Sequence, residues 1–236
     1  MSDAPESLGV PNSADAPISA KLPARKYKCD EITVTYQPRR CTHVGECMLR
    51  APSVFNTWEL PWVQVKNGTV AEIVEAIERC PTGALHYERT DGGSQEQPCP
   101  TNVVFVSRNG PYYVSGNLEI VMPDGSILTE TRASLCRCGV STNRPFCDNS
   151  HREVRFRDPG MHVPEMDVAL ELPPNEKLRI TPHRNGNLHF EGAFEIRDAT
   201  GTVIAQRAEE WLCRCGHSGN KPFCDSTHKR IGFKTE

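Results

Sequence analysis

Apolar and polar residues alternate over residues 32–36, and this pattern predicts a half-buried strand early in the chain. The run VAEIVEAIERC then places Ile73, Val74 and Ile77 at helical spacing, which predicts an amphipathic helix. Residues 1–25 are rich in Ala, Ser, Pro and Asp and show no apolar period. We therefore expect a disordered tail there.

Strand-like segments return twice in the second half of the chain. Residues 103–106 and 112–114 flank the turn signal Asn109-Gly110, and residues 178–180 precede the same signal at Asn185-Gly186. The two copies are offset by 76 residues at these turns (109 to 185) and by 77 at the cysteines that follow (136 to 213). The chain therefore contains an internal duplication that includes its β structure.

Each copy ends in the same motif, CRCGVSTNRPFCDNSH over residues 136–151 and CRCGHSGNKPFCDSTH over residues 213–228. Three thiols and one imidazole recur at identical spacing, which predicts two metal centres. Three thiolates and one imidazole also suit tetrahedral zinc, although zinc modules usually space paired cysteines two to four residues apart. The motif alone leaves iron and zinc open.

Other residues of the motif predict support for these centres. A serine hydroxyl can hydrogen-bond a sulfur, a proline fixes the turn before the third cysteine, and an aspartate can cap the short helix that carries the histidine. These residues are Ser141, Pro145 and Asp148 in the first copy and Ser218, Pro222 and Asp225 in the second.

The motif resembles the CDGSH iron-sulfur domain, the mitoNEET-like family, whose members hold a 2Fe-2S cluster with three cysteines and one histidine. The resemblance implies two ligand sets: Cys136, Cys138, Cys147 and His151, and Cys213, Cys215, Cys224 and His228. Asn149 and Ser226 stand where the family has the glycine of its name. Family members pack two protomers around a shared β-cap, so two copies on one chain imply an intramolecular pseudo-dimer and a monomeric protein.

Three further cysteines, Cys41, Cys47 and Cys80, precede the duplication. Their order, with the segment APSVF and the ending CPTGAL, resembles the divergent mono-cluster branch of the bacterial ferredoxins over about residues 27–90. The resemblance implies a 3Fe-4S or 4Fe-4S cluster, but Val44 stands where a fourth cysteine would bind. His43, another residue or solvent would then hold the last iron of a 4Fe-4S cluster. The alternatives are a His43 that binds no iron, and an empty thiol cluster or zinc site.

Composition narrows the class of protein. The chain of 236 residues has 37% hydrophobic residues and 19 prolines, which favours several small modules stabilised by metal over one large core. Eleven cysteines fit a disulfide framework poorly and favour a reducing compartment. A net charge of -3 gives no basic surface for nucleic acid, and no run is long and apolar enough to span a membrane. We therefore expect a soluble, cytoplasmic protein without nucleic-acid partners, and we assign no role to Cys29 and Cys99.

The predicted fold class is α+β and multi-modular, with a small ferredoxin-like domain followed by two β-rich modules. The predicted divisions are a tail over 1–25, a ferredoxin-like domain over 26–90, a linker over 91–101, a first CDGSH domain over 102–157, a connection over 158–176 and a second CDGSH domain over 177–236.

Ligand charge indicates the function. Three thiolates and a neutral imidazole leave an oxidised 2Fe-2S site at about -1, whereas four thiolates leave about -2, so the histidine-ligated site accepts an electron more readily. The imidazole can also exchange protons, which would couple reduction to protonation at His151 and His228. We expect a non-enzymatic electron-transfer protein with a redox partner protein. The alternatives are cluster storage or transfer to an apo-acceptor, redox or pH sensing, and a zinc-stabilised interaction module.

Overall fold

The structure is a computed structural model that describes residues 23–162 and 170–235. The predicted disordered tail lies outside these residues except at its end, where the first strand begins at Arg25. None of the helices in the described ranges is long and apolar enough to cross a membrane. In chain order the elements are β1 Arg25–Lys28, β2 Ile32–Tyr36, α1 Glu46–Arg50, α2 Val70–Glu78, β3 Leu85–Arg89, β4 Val103–Val106, β5 Tyr112–Val121, β6 Ile127–Leu135, α3 Ser150–Glu153, β7 Lys177–Pro182, β8 Leu188–Arg197, β9 Val203–Leu212 and α4 Thr227–Arg230.

The N-terminal unit, residues 23–90, is a three-stranded antiparallel sheet covered by α1 and α2. The strand order is β1-β2-β3. Thr69 and Glu72 form a capping box that begins α2, because each side chain accepts a hydrogen bond from the other's backbone N–H. The predicted helix is confirmed, with Ile73 and Ile77 fully buried and Val74 partly buried against the same core.

Strands β4 to β9 form one six-stranded sheet to which both copies contribute. We call the copies the first repeat, β4 to α3, and the second repeat, β7 to α4. Strand β4 pairs antiparallel with the first half of β5 and parallel with the end of β8. Strand β7 does the reverse, pairing antiparallel with β8 and parallel with the second half of β5. Each repeat therefore places one strand against the long strand of the other.

A single hydrophobic core lies beneath this exchanged sheet. Its fully buried members come from both repeats and include Val104, Leu118, Ile120, Leu178, Ile180, Phe190 and Ile196. Asn102 joins the repeats at the sheet's centre, because its amide donates to the carbonyls of Glu176 and Ala193 at 2.9 and 3.0 Å. Neither repeat encloses this core alone.

The N-terminal unit packs on the first repeat through buried charged side chains. Arg40 pairs with Glu130, and Arg132 donates to backbone carbonyls at the end of α2 and pairs with Glu96. The segment 91–101, predicted as a linker with little to bury, therefore contributes Glu96 to this interface, where its side chain is only 10% exposed. Polar composition hid this contact, because Glu96 is buried by ion pairing rather than by apolar packing.

Candidate metal centres

The four candidate donors of the first repeat lie together at the end of β6. Cys136 and Cys138 place their sulfurs 3.7 Å apart, and Cys147 Sγ lies 3.4 Å from His151 Nδ1. All four residues are buried. The arrangement is therefore two pairs of donors, a Cys–Cys pair and a Cys–His pair, held in one loop.

Backbone hydrogen bonds fold this loop back onto β6. The N–H of Cys136 donates to the carbonyl of Pro145 at 2.9 Å, and the N–H of Cys147 donates to that of Ser134 at 2.9 Å. These bonds bring the Cys–His pair beside the Cys–Cys pair, although residues 139–146 lie between Cys138 and Cys147 in the sequence. The local sequence thus fixes the donor geometry before any metal is considered.

The second repeat has the same geometry. The sulfurs of Cys213 and Cys215 lie 3.9 Å apart, and Cys224 Sγ lies 3.4 Å from His228 Nδ1. Its closing hydrogen bonds run from Cys213 N to Pro222 O and from Cys224 N to Trp211 O, both at 2.8 Å. Two sites built alike are what the duplicated motif predicts.

The serine hydroxyls do not bond sulfur, so this detail of the sequence-based expectation is wrong. Ser141 Oγ donates to the carbonyl of Phe146 at 2.6 Å, because the tight turn turns that carbonyl toward it. A backbone N–H reaches the sulfur instead, from Asn149 to Cys147 Sγ at 3.4 Å. The second repeat repeats both bonds, from Ser218 Oγ to Phe223 O and from Ser226 N to Cys224 Sγ.

The aspartates hold the start of each short helix. Asp148 accepts hydrogen bonds from Ser150 N, in the first turn of α3, and from Thr142 N across the loop. Burial raises the pKa of Asp148, but these donors outweigh it and lower the pKa to about 2. Asp225 accepts from Gly219 N and Thr227 N, which likewise lower its pKa.

The surroundings lower the pKa of some donors in the two loops and raise the pKa of others, among them Cys138 and Cys213. One thiol in each Cys–Cys pair accepts a hydrogen bond from the other, which lowers the pKa of Cys136 and of Cys215 to about 6. Burial raises the pKa of Cys147 to about 11. Burial also lowers the pKa of His151 and of His228, so both imidazoles are in the neutral form that binds metal.

The three N-terminal cysteines line one small cavity of about 30 Å³. Cys41 follows a 3₁₀ turn, Cys47 lies in α1, and Cys80 follows α2. Tyr36 and Trp62 form part of the wall. Burial, with the neighbouring Cys80 and Cys41, raises the pKa of Cys47 to about 11.

His43 lies at the rim of this cavity. Its Nδ1 is 4.0 Å from Cys41 Sγ, and its side chain is exposed. Val44, which replaces the fourth cysteine, is 44% exposed. Cys29 is partly buried and Cys99 is exposed, and neither is among the residues that line the cavity.

The candidate donor side chains do not gather around a single point. Among residues 23–162 and 170–235, no three His, Cys, Asp or Glu side chains converge closely enough to hold a single metal ion. A tetrahedral zinc site needs four donors at about 2.0–2.3 Å from one ion. In each repeat the donors lie in two pairs, one Cys–Cys and one Cys–His.

The three candidate centres lie in loops that contact one another. Asn149, two residues before His151, donates to the carbonyl of Thr42, next to Cys41, at 3.0 Å. The guanidinium of Arg40 lies 4.6 Å from the ring centre of Phe146. The N-terminal site is therefore seated against the first repeat's cysteine loop.

The two cysteine loops also touch each other directly. A Cβ on Gly139 would lie 2.7 Å from Cys215 O, and a Cβ on Gly216 would lie 2.9 Å from Cys138 O. The reciprocal contacts reflect the duplication, with the glycine after each Cys-x-Cys set against the other repeat's backbone. Sequence reasoning found both motifs but gave no sign of this contact.

Comparison with known proteins identifies two families along the chain. A family model described as a divergent 4Fe-4S mono-cluster matches residues 27–90, and one described as an iron-binding zinc finger of CDGSH type matches residues 109–152 and 185–229. The chain belongs to these iron-sulfur families. The chain is similar to the uncharacterized protein YjdI of Escherichia coli K12, at 35% identity over 63 residues, which cover 27% of this chain and 83% of YjdI. YjdI of the O157:H7 strain gives the same values.

The protein is thus an iron-sulfur protein with a mono-cluster domain, the N-terminal unit, followed by two CDGSH modules, the first and second repeats. The structure places residues at the domain junctions that the motifs do not include. Arg40, Thr42 and Glu96 join the mono-cluster domain to the first module. Asp158, assigned to the connection, is buried beside the first cysteine loop.

Proposed function

We propose that the protein is a non-enzymatic electron carrier in which three iron-sulfur clusters form one row, from the mono-cluster domain through the first CDGSH module to the second. One observation carries the proposal: the cysteine loop of the first module contacts both the N-terminal site and the cysteine loop of the second module. Iron-sulfur clusters supply reversible one-electron transfer, and their potentials respond to nearby charge and hydrogen bonds.

The proposed cofactors of the CDGSH modules are two 2Fe-2S clusters, each with three cysteine ligands and one histidine ligand. The ligands are those named from the motif: Cys136, Cys138, Cys147 and His151, and Cys213, Cys215, Cys224 and His228. Support comes from the paired donors, with separations of 3.4–3.9 Å within pairs. Zinc is the alternative metal, and metal analysis of the purified protein separates it from iron.

The proposed cofactor of the mono-cluster domain is a 3Fe-4S or 4Fe-4S cluster held by Cys41, Cys47 and Cys80. The three thiols share one cavity, and His43 at its rim is the nearest candidate for a fourth ligand. Substituting His43 by alanine separates these cases. A change in the cluster's EPR signal would identify His43 as a ligand, and an unchanged signal would exclude it.

We further propose that the two CDGSH modules form an intramolecular pseudo-dimer, so the protein works as a monomer. The exchange of β4 and β7 supports this, because each completes the sheet of the other repeat. All eleven cysteines are free thiols, which suits a reducing compartment such as the cytoplasm. The partner is a redox protein that delivers or accepts one electron. Proton coupling at His151 and His228 stays a prediction, and the pH dependence of the potentials tests it.

The test is reduction of anaerobically purified protein, with iron, sulfide and zinc measured on the same sample. We expect reversible redox transitions, two 2Fe-2S signals and one distinct signal from the mono-cluster domain by low-temperature EPR. Rapid-mixing reduction should then show the clusters filling in sequence. Asn149→Ala, which removes the contact with Thr42, should slow transfer between the first two centres, whereas Ser226→Ala at the equivalent second position should not. A colourless protein with stoichiometric zinc would refute the proposal.

Cluster transfer is the second candidate function, and one asymmetry favours it for the second module. Around its Cys–His pair, Asp225 and Ser226 are exposed, whereas Asp148 and Asn149 of the first module are partly buried beside the mono-cluster domain. Water and an acceptor can therefore reach the second site more easily. Incubation with an apo-ferredoxin should move cluster from the second module first, and no gain of cluster by the acceptor would exclude this function.

A further inference from the structure

An arginine stands between the first two cysteines of each CDGSH module, and both arginines are buried. Arg137 is 1% exposed, and its charge is balanced by Asp158, whose Oδ1 lies 2.5 Å from Arg137 Nη1. Arg137 also donates to the carbonyls of Gly110 and Ser107 at 2.8 and 2.6 Å. The positive charge of Arg137 is therefore offset by Asp158, whose other oxygen lies 3.8 Å from Lys221 Nζ.

The equivalent arginine of the second module, Arg214, has no such partner. It is 3% exposed, and the 77-residue offset places Thr235 where the first module has Asp158. In residues 23–162 and 170–235, Arg214 makes one hydrogen bond, from Nη1 to His183 O at 3.2 Å, and its buried Nε has no partner. A buried guanidinium without a carboxylate is costly, so some other negative group must balance it.

The loop that carries Arg214 packs on the cysteine loop of the first module. Cys215, next to Arg214, contacts Gly139, and Gly216 contacts Cys138. Burial lowers the pKa of Arg214 to about 10, and attraction to Cys136 partly offsets this effect. Arg144 of the first module also lies nearby, where it donates to Gly139 O at 2.9 Å and adds a second positive charge.

We propose that Arg214, although it belongs to the second module, is the counter-charge of the first module's cluster and gives that cluster the higher reduction potential of the two. This inference rests on the proposed function. Reduction by a one-electron donor protein converts one ferric ion to ferrous, adds one negative charge to the site and changes no covalent bond. A fixed positive charge beside the site therefore favours reduction there. Arg137 has no comparable effect, because Asp158 cancels its charge.

The consequence is a preferred place for the electron. In half-reduced protein, roughly ten times as many molecules carry the electron on the first CDGSH cluster as on the second, which equals a difference in potential of about 59 mV for a one-electron couple. The first cluster is the one beside the mono-cluster domain. The two modules, although built from one motif, are then not interchangeable.

The experiment is a potentiometric titration of the full, cluster-loaded chain followed by low-temperature EPR. His151→Cys and His228→Cys each alter one cluster's signal and so assign the two signals. Arg214→Gln should lower the first cluster's potential until the difference disappears, and Arg214→Lys, which keeps the charge, should preserve it. Asp158→Asn, which leaves the charge of Arg137 unbalanced, should raise the second cluster's potential, because Arg137 lies over Tyr112, whose hydroxyl bonds Cys213 O.

If Arg214→Gln fails to bind its clusters, a second variant, Thr235→Asp, tests the same assignment. Thr235→Asp keeps Arg214 and supplies the missing carboxylate, so it should lower the first cluster's potential while that of the second stays within error. Equal potentials in the unmodified protein, or a first potential that neither Arg214→Gln nor Thr235→Asp shifts, would overturn the assignment of Arg214 and leave the carrier function intact. Absence of any redox transition in loaded protein would instead overturn the carrier function itself.

Discussion

Substituting Gly139 by alanine tests the contact between the two CDGSH loops. Gly139 has a φ of +82°, in the left-handed region, and an added Cβ would lie 2.7 Å from Cys215 O. Gly125 is a matched control, since it has the same φ of +82° and nothing within 4 Å of an added Cβ. The two variants share backbone strain, and only Gly139→Ala adds a collision.

The expected magnitudes follow from these two terms. The left-handed conformation costs a non-glycine residue about 1–2 kcal/mol. Removing glycine's freedom from the unfolded chain offsets about 0.4–1 kcal/mol of this. Gly125→Ala should therefore cost about 1 kcal/mol. Because ordinary contact begins at 3.4 Å, Gly139→Ala must separate the loops by about 0.7 Å, the difference between 3.4 and 2.7 Å. Overpacking of this kind adds about 1–3 kcal/mol.

The assay is denaturant unfolding of loaded protein under anaerobic conditions, followed by far-UV circular dichroism and by visible cluster absorption. We expect Gly139→Ala to lose at least about 1 kcal/mol more than Gly125→Ala, and to lose cluster absorption at lower denaturant concentration. Gly216→Ala, whose Cβ would lie 2.9 Å from Cys138 O, should behave alike. Equal costs for Gly139→Ala and Gly125→Ala would refute direct packing of the loops.

Three further predictions concern side chains that connect the mono-cluster domain and the two CDGSH modules. Burial lowers the pKa of His86, but Glu130 and Glu96 outweigh this and raise the pKa from 6.5 to about 9. The stability that His86 contributes is thus complete below pH 6.5 and lost as the pH rises through 9, by about 3 kcal/mol at most in urea unfolding. Glu130→Gln should cost about 3–5 kcal/mol, because Arg40 is left buried without its partner, and should speed proteolysis of the linker. Tyr112→Phe removes the hydroxyl proton that the carbonyls of Cys213 and Pro222 share at 2.9 and 3.1 Å, and should cost about 1–3 kcal/mol and hasten loss of the second cluster.

Each of these three predictions has a control experiment. His86→Gln should flatten the alkaline loss of stability, and an unchanged slope would exclude His86 as its source. Glu119→Gln disrupts an exposed pair with Lys177 and should cost under about 1 kcal/mol, so a cost equal to that of Glu130→Gln would contradict the buried interface. Leu188 occupies the second module's position equivalent to Tyr112, so the first cluster should be unaffected by Tyr112→Phe, and equal loss of both clusters would argue for a general effect on the fold.

The sequence predicts the arrangement of residues that are close together in the chain, but not the contacts between residues that are far apart in it. The spacing of the first motif's donors reflects a turn that is closed by hydrogen bonds between nearby backbone groups, so the motif predicts this turn. The donors are Cys136, Cys138, Cys147 and His151. Periodicity likewise identifies α2 and β2, and the turn signals identify β4, the start of β5 and β7, whereas β1, β3, β6 and β9 were not predicted. Arg214 could have been suspected only by comparing the two copies and noticing Thr235 opposite Asp158. The hydroxyl of Ser141 was misassigned because a carbonyl competes with sulfur for it, and only the folded turn shows which lies closer.

The exchange of strands between the repeats also determines when the protein can acquire its cofactors. The first motif is complete once His151 has been synthesised, yet β4 still lacks its partner in β8, which ends at Arg197. The nascent chain therefore carries a finished set of donors on an unfinished scaffold while more than 40 further residues are added, from 151 to 197. A chain cut before β8 would keep its first motif and the pairs of β4 and β6 with β5, but it would lack the strand on the other side of β4. We therefore expect stable binding of the first centre's cofactor only after β8 has been synthesised.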